Sequence, residues 1–498
     1  MHPLFVRMCG VFAVGSLAVA ALTARSTVAG PNDDFGAFVA DQLRSHSEQL
    51  FGFSHPLDES AVGPFDGNSV DALELADGLR ATLVSSAVHH SADQIALWPN
   101  DDHPTHLFVC DEESSNPAVQ RVDLSKPAAS NATAIVTGLT SCDPVRRTPW
   151  GSIIVAEEAG ATGGFYEILD PLNVSSAIAV TNRAAGTTSD PAHLVKRKAV
   201  GSLSFESFAI MDNGTMIFGD ELAPIGGAVG GGIFKFVPDQ LFAGGGQITG
   251  APFSPFASGR LFGLRVAGAG GSNNWGQGAE TGKGLWVAVD LGGSGVVDGN
   301  QNIILRNAQV NQKFTGYYRP EDMDIDPIAK ANGVFRACWA NTGRLSHGGG
   351  SLTETSAVVP EVMCLTEEPS GGVATGAIPV IERFIAGSRE GGMYDNVAFQ
   401  PHTGNLVVLE DGPTSIATRS GNQPRGNDIW ICLPDGSDDD IQSDGCVRLA
   451  SLRDTSSEPT GFIFLGSGEE AFVSLQHRAV DESGNRGSLL KISGFKVR

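Results

Sequence analysis

The stretch "ESFAIMDNGTMIFGDE" (residues 206–221) decides the fold. An acid heads an apolar run, Asp212-Asn213-Gly214 makes a turn, a second apolar run follows, and two acids close it. Asn and Gly in a short polar break are turn chemistry, and the flanking runs rich in Phe, Ile and Met read as two hairpin strands. The unit recurs. "DNVAFQPHTGNLVVLED" (395–411) keeps the same order, "EDMDIDPIAKANGVFRAC" (321–338) is a longer version, and "EPTGFIFLGSGEEAFVSLQH" (458–477) is another. "HPTHLFVCDEE" (103–113) and "TPWGSIIVAEE" (148–158) carry its second half. Several copies lie roughly 60 to 75 residues apart, a spacing that fits β-propeller blades. The expected fold is all-β, a β-propeller of six blades.

In an antiparallel hairpin the start of the first strand lies beside the end of the second. Glu206 is therefore expected near Asp220 and Glu221, and Asp395 and Asn396 near Glu410 and Asp411. If these are innermost strands, their ends meet on the central channel. "YYRPEDMDID" (317–326) adds an Arg, a Glu and three Asp on one such strand. Arg319 and Glu321 are two apart and share a face of a regular strand, with Pro320 stiffening its entry. Carboxylates gathered in one place repel one another, and hard oxygen donors favour Ca²⁺ or Mg²⁺ as the relief. The alternative is that the acids splay into solvent as turn residues.

The rest of the chain limits the function classes. It has 498 residues, 63 of them Gly and 26 Phe, and a formal net charge of −23. Such an acidic surface repels nucleic acid and anionic membranes, so neither is an expected partner. Residues 1–29 read as a signal peptide, with Arg7 before the apolar run 11–22 and Ala29 at the cleavage site. Residues 30–60 read as an N-terminal extension, with 34–51 as an amphipathic helix. Residues 61–498 form the propeller domain, and 222–320 hold a Gly-rich insertion or one more blade. Six cysteines remain after the leader. Sequential pairing (110–142, 338–364, 432–446) would staple neighbouring strands, although 15 connectivities are open. A secreted or periplasmic monomer is expected. Gly-x-Ser-x-Gly, His-Glu-x-x-His and Walker motifs are absent from the sequence.

Three of these segments together resemble the PhoX-type alkaline phosphatases, secreted propeller enzymes. "TPWGSIIVAEE" is similar to that family's Thr-Pro-Trp-Gly…Glu-Glu segment, "YRPEDMDIDP" (318–327) to its Arg-Pro-Glu-Asp segment, and 395–411 to its Asp-Asn…Glu-Asp hairpin. The resemblance runs from about residue 100 to 478. It implies a phosphomonoesterase with calcium and iron in the channel, acting on a small phosphorylated substrate. It implies that Arg319 contacts phosphate and that Glu321 serves the chemistry as a metal ligand. Glu206, Asp322, Asp395, Asn396, Glu410, Asp411 and Glu157 join the expected metal set. Cys110 matches the cysteine that bridges iron in the family, but "CDEE" replaces the family's Asn-His-Glu-like continuation. A disulfide to Cys142 would exclude that role. Two other readings stay open: a non-catalytic calcium-stabilised propeller, and a calcium-dependent hydrolase of another ester.

Overall fold

The computed structural model describes residues 37–497, apart from 64, 66, 225–227, 267–280, 344, 345, 348, 349, 352–359, 369–376, 388–392, 412–424, 437–440 and 478–486. The expected leader lies outside the described residues.

Six antiparallel hairpins form the inner framework. Ala92–Trp98 pairs with His106–Asp111, Cys142–Arg147 with Ile153–Glu157, and Phe205–Ile210 with Met216–Asp220. Pro320–Ile325 pairs with Phe335–Asn341, Tyr394–Phe399 with Leu406–Glu410, and Glu458–Phe464 with Glu470–Gln476. The first strand of each hairpin packs against the first strand of the next, and the sixth returns to Ala92–Trp98. The molecule is a β-propeller whose inner strands ring a channel.

Each hairpin is extended outward by further strands. The ring is closed by strand Arg80–Ser85, near the start of the described chain, which pairs with Ser488–Ser493 at its end. Strand Gly282–Ala288 pairs with both Gly259–Val266 and Ile378–Ala386, fusing the outer edges of the third and fourth sheets. Region 222–320 thus supplies outer strands of the third sheet, and it also supplies a helix, Leu305–Gln312. Near the N-terminus two helices, Ala37–Ser45 and Ser47–Leu50, precede the first strand.

The apolar runs are buried along their whole length instead of alternating, as in Leu406–Leu409 and Ile153–Ala156. The reason is that every sheet is covered on both faces by its neighbours. One hydrophobic cluster fills each gap between adjacent sheets. Phe165 with Phe205, Met323 with Ile217, and Val407 with Val473 are examples. Burying one such side chain is worth about 1.5–3 kcal/mol. Three disulfides, Cys110–Cys142, Cys338–Cys364 and Cys432–Cys446, match the sequential pairing.

Candidate metal centre

The same irregularity occurs in all six hairpins. After the opening pairs, the inner strand advances three residues while its partner advances two. Ala92/Ile95 faces Asp111/Val109, and Cys142/Val145, Phe205/Phe208, Pro320/Met323, Tyr394/Val397 and Thr460/Ile463 repeat the step. These are β-bulges, which bend a strand and re-aim a side chain. The first bulged residues are Asp93, Asp143, Glu206, Glu321, Asp395 and Gly461. Five of the six are acids, and each is at most 9 % exposed.

The bulges bring these acids together. Carboxylate oxygens of Glu206, Glu321 and Asp395 lie within 4.8 Å of one another. Glu206 also forms such a group with Glu158 and Glu221. Glu158 and Glu221 come one residue after the second strands of their hairpins, and Glu112 and Asp411 hold the equivalent places. The centre thus has an inner set of bulge acids and an outer set at the strand ends.

Burial and mutual repulsion push the protons back onto this cluster. Burial is the main cause in each case. Asp143 adds to it at Glu206, and Glu321 adds to it at Asp395, both of which are raised well above the usual range. Asp93, Asp143 and Glu458 are raised likewise. Glu321 is pushed up to about 8 and Glu158 to about 10. At Glu221 burial is more than offset by Arg319, which holds the group low.

Arg319 is a cation set among these acids. Its Nε and Nη2 each lie 2.5 Å from Glu221 Oε1, and Nη2 lies 3.2 Å from Glu321 Oε1. Its φ is +51°, a conformation uncommon outside Gly and often kept at functional sites. The Thr342 backbone N–H donates to the Arg319 carbonyl at 3.2 Å, and the Thr342 hydroxyl donates to Glu321.

The second bulged residues do a different job. Ser207 Oγ accepts from Met323 N at 2.5 Å, Asp322 Oδ2 from Val397 N at 3.3 Å, and Asn396 Oδ1 from Gly461 N at 2.7 Å. Each staples one inner strand to the next. Gln94 Nε2 donates to Asp143 Oδ1 at 3.2 Å. Arg146 donates to Gln94 Oε1 and to Asp322 Oδ1, both at 2.7 Å. Beyond this brace, a cavity of about 440 Å³ opens at the opposite end of the inner strands.

The expected residues therefore divide. Glu206, Glu321 and Asp395 share one group of ligand atoms, and Asp411 faces Arg319, which opposes the upward push of burial on its carboxyl. Asn396 and Asp322 make the inter-strand staples. Glu157 is turned away: it accepts from Arg183 at 2.5 Å, Thr140 N at 2.8 Å and Gly164 N at 2.9 Å, and Glu158 takes its place. Glu410 is turned away in the same manner, toward Arg425, Asp428 N and Trp430. Neighbouring residues on a strand face opposite sides, so only one of each acidic pair reaches the channel. Cys110 is bonded to Cys142 and offers no thiolate. Every cysteine among the described residues is disulfide-bonded, so a cysteine-bridged iron does not fit. The all-oxygen donor set does fit Ca²⁺ or Mg²⁺. Asp93, Asp143, Glu112, Glu158 and Glu458 were missed as site residues in the sequence. A trace of Asp93 and Asp143 is present in "SADQIALW" (91–98) and "SCDPVRRTPW" (141–150), an acid at the second position of the strand.

Fold and site define a propeller whose channel gathers buried carboxylates that could hold a metal ion. The family whose sequence profile matches the chain is alkaline phosphatase PhoX, over residues 112–479, and the chain belongs to that family. Among solved structures it is similar to Pseudomonas fluorescens PhoX in complex with vanadate, a transition state analogue. That likeness has a TM-score of 0.61 at 14 % identity, covering 87 % of this chain and 98 % of that one. It is also similar to a Xanthomonas campestris gluconolactonase, with a TM-score of 0.39 at 12 % identity, covering 88 % and 96 %. No curated protein sequence matches it.

Proposed function

We propose that the protein is a metal-dependent phosphatase that hydrolyses phosphate monoesters at the front of the channel, the end where Glu206, Glu321 and Asp395 meet. The observation that carries this reading is the convergence of Glu206, Glu321 and Asp395 beside Arg319, in a chain of the PhoX family. Glu206, Glu321, Asp395 and Glu158 would hold the cations, with calcium as the favoured ion. When bound, the cations would neutralise the ester's charge and activate water.

The chain's own residues supply the remaining steps. Arg319 offers a planar fork of donors that suits phosphate oxygens. Glu221 and Glu321 fix the plane of that fork from one side. Thr342 holds Glu321 in register with it. The brace of Gln94, Arg146 and Asp322 stands between the carboxylates and the rear cavity, so substrate is expected to enter from the front. Vanadate binding to the Pseudomonas protein supports a site that accepts a phosphoryl-like group.

Three disulfides suit an oxidising compartment. Among the described residues no helix is long and apolar enough to cross a membrane. Secretion through a leader at 1–29, an extension at 30–60 and one propeller domain from 61 to 498 belong to the same proposal.

Purified protein should release phosphate from a generic phosphomonoester, lose that activity in EGTA and regain it with calcium. Turnover that survives complete removal of bound metal would overturn the reading. Calcium bound without turnover of any phosphomonoester would leave a structural propeller instead.

A further inference from the structure

The Leu305–Gln312 helix lies outside the inner hairpins, yet one of its side chains reaches the hairpin end that carries Glu221. The segment before it docks against the third sheet: Ser202 N donates to Ile303 O at 2.8 Å, and Ile304 N to Val296 O at 2.7 Å. Leu305 and Ala308 are fully buried beneath it, and Gln309 Nε2 donates to Gly230 O at 3.1 Å. The helix is therefore a fixed platform for Arg306.

Arg306 spends its donors on the hairpin end that carries Glu221. Nε donates to Asp220 Oδ2 at 2.8 Å and Nη2 to Asp220 Oδ1 at 2.8 Å. Nη2 also reaches Ser204 Oγ and the Glu221 carbonyl, each at 3.1 Å. Gly160 N donates to the same Ser204 Oγ at 2.9 Å. Gly160 makes room for the guanidinium: a Cβ there would stand 2.5 Å from Arg306 Nη1, and its φ is +55°. Two elements distant in sequence are thus shaped around one arginine.

We infer that Arg306 is a positioning residue of the site: it fixes Glu221, and through Glu221 the guanidinium of Arg319. The inference rests on the phosphatase reading above and extends it. Arg306 holds the main chain of Glu221 and its neighbour Asp220. The Glu221 side chain then has one direction left, toward Arg319 and the oxygens of Glu158 and Glu206. Loss of the clamp lets Glu221 move, and the Arg319 fork tilts with it. The effect falls on phosphate recognition more than on cation content, because Glu206, Glu321 and Asp395 are held by their own bulges.

R306K keeps a positive charge beside Asp220, but a single ammonium cannot reproduce the two parallel bonds to Asp220 and still reach Ser204 and the Glu221 carbonyl. G160A drives a methyl into the space of Nη1. In both variants KM for a phosphomonoester and Ki for inorganic phosphate should rise about tenfold, the scale of one lost charge-assisted bond. Calcium content per folded protein should stay near wild type, whereas the melting temperature falls in both, since G160A carries an Ala at a φ of +55° and R306K weakens the hold on buried Asp220. Ki does not depend on the fraction of protein that folds, so partial misfolding cannot mimic the result. Unchanged Ki in both variants, or a rise only in proportion to lost calcium, overturns the inference. Wild-type protein without phosphomonoester turnover overturns the phosphatase reading itself and this inference with it. That outcome is distinct from an active wild type that both variants match.

Discussion

Replacing Glu321 with Gln should stabilise the cation-free protein and destabilise the calcium-bound one. Burial, with Glu221 adding to it against the pull of Arg319, pushes the Glu321 carboxyl up to about 8. In the unfolded chain a Glu titrates near ~4.3. The native pKa is the higher one, so the native state keeps a proton that the unfolded state gives up. The stability this contributes is fully present below ~4.3 and is lost as pH rises to about 8. The slope is about 1.4 kcal/mol per pH unit, or on the order of 5 kcal/mol for this residue alone. Neighbouring carboxylates share protons with it, so that figure is a ceiling. Gln cannot ionise and escapes the loss. Thermal unfolding followed by circular dichroism at pH 5, 6.5 and 8 gives the assay, with both proteins measured in EGTA and in calcium. In EGTA the wild type should melt at falling temperature as pH rises, and E321Q should fall less. At about 2 °C per kcal/mol for a large chain, the gap at pH 8 reaches several degrees. In calcium the order should reverse, because the wild-type carboxylate has a cation to bind. A wild type with flat melting from pH 5 to 8 in EGTA refutes the reasoning. So does an E321Q that melts lower by the same margin in both buffers.

Three further outcomes are expected. R319K should lose about 100-fold in kcat/KM with its fold intact, since a point charge replaces a fork aimed at phosphate; steady-state kinetics and circular dichroism check it. The double variant C110A/C142A should lose about 2–4 kcal/mol in denaturant unfolding while retaining its calcium and turnover, because these sulfurs bind each other and no metal. N396A should lose about 1–3 kcal/mol by the same assay, since it leaves Gly461 N without its acceptor, and its calcium content should not change.

Much of the fold was legible because turn residues do not hide. Gly214 and Gly404 both have positive φ, at +89° and +76°, and each marks the hairpin that its sequence suggested. The acids framing those hairpins pointed to the channel. What could not be read was the phase of each strand. Glu157 and Glu158 are adjacent, as are Glu410 and Asp411, and only the pleat decides which of each pair faces the channel. The bulges decide the matching question on the inner strands, and no residue pattern announces a bulge. Asp93 and Asp143 were hidden because Gln94 and Pro144 interrupt the apolar run that follows. Cys110 could be a thiolate or half a disulfide until its Cα was placed 5.1 Å from that of Cys142. Arg306 belongs to the least regular part of the sequence, 86 positions from its partner Asp220, and nothing local ties the two.

Anomalous diffraction from crystals grown with calcium looks straight at the channel. An ion should sit among Glu206, Glu321 and Asp395, with oxygens from at least these three side chains at about 2.3–2.6 Å. A channel without an anomalous peak, or carboxylates turned apart with water between them, would show that the acids of this propeller were never gathered to hold metal.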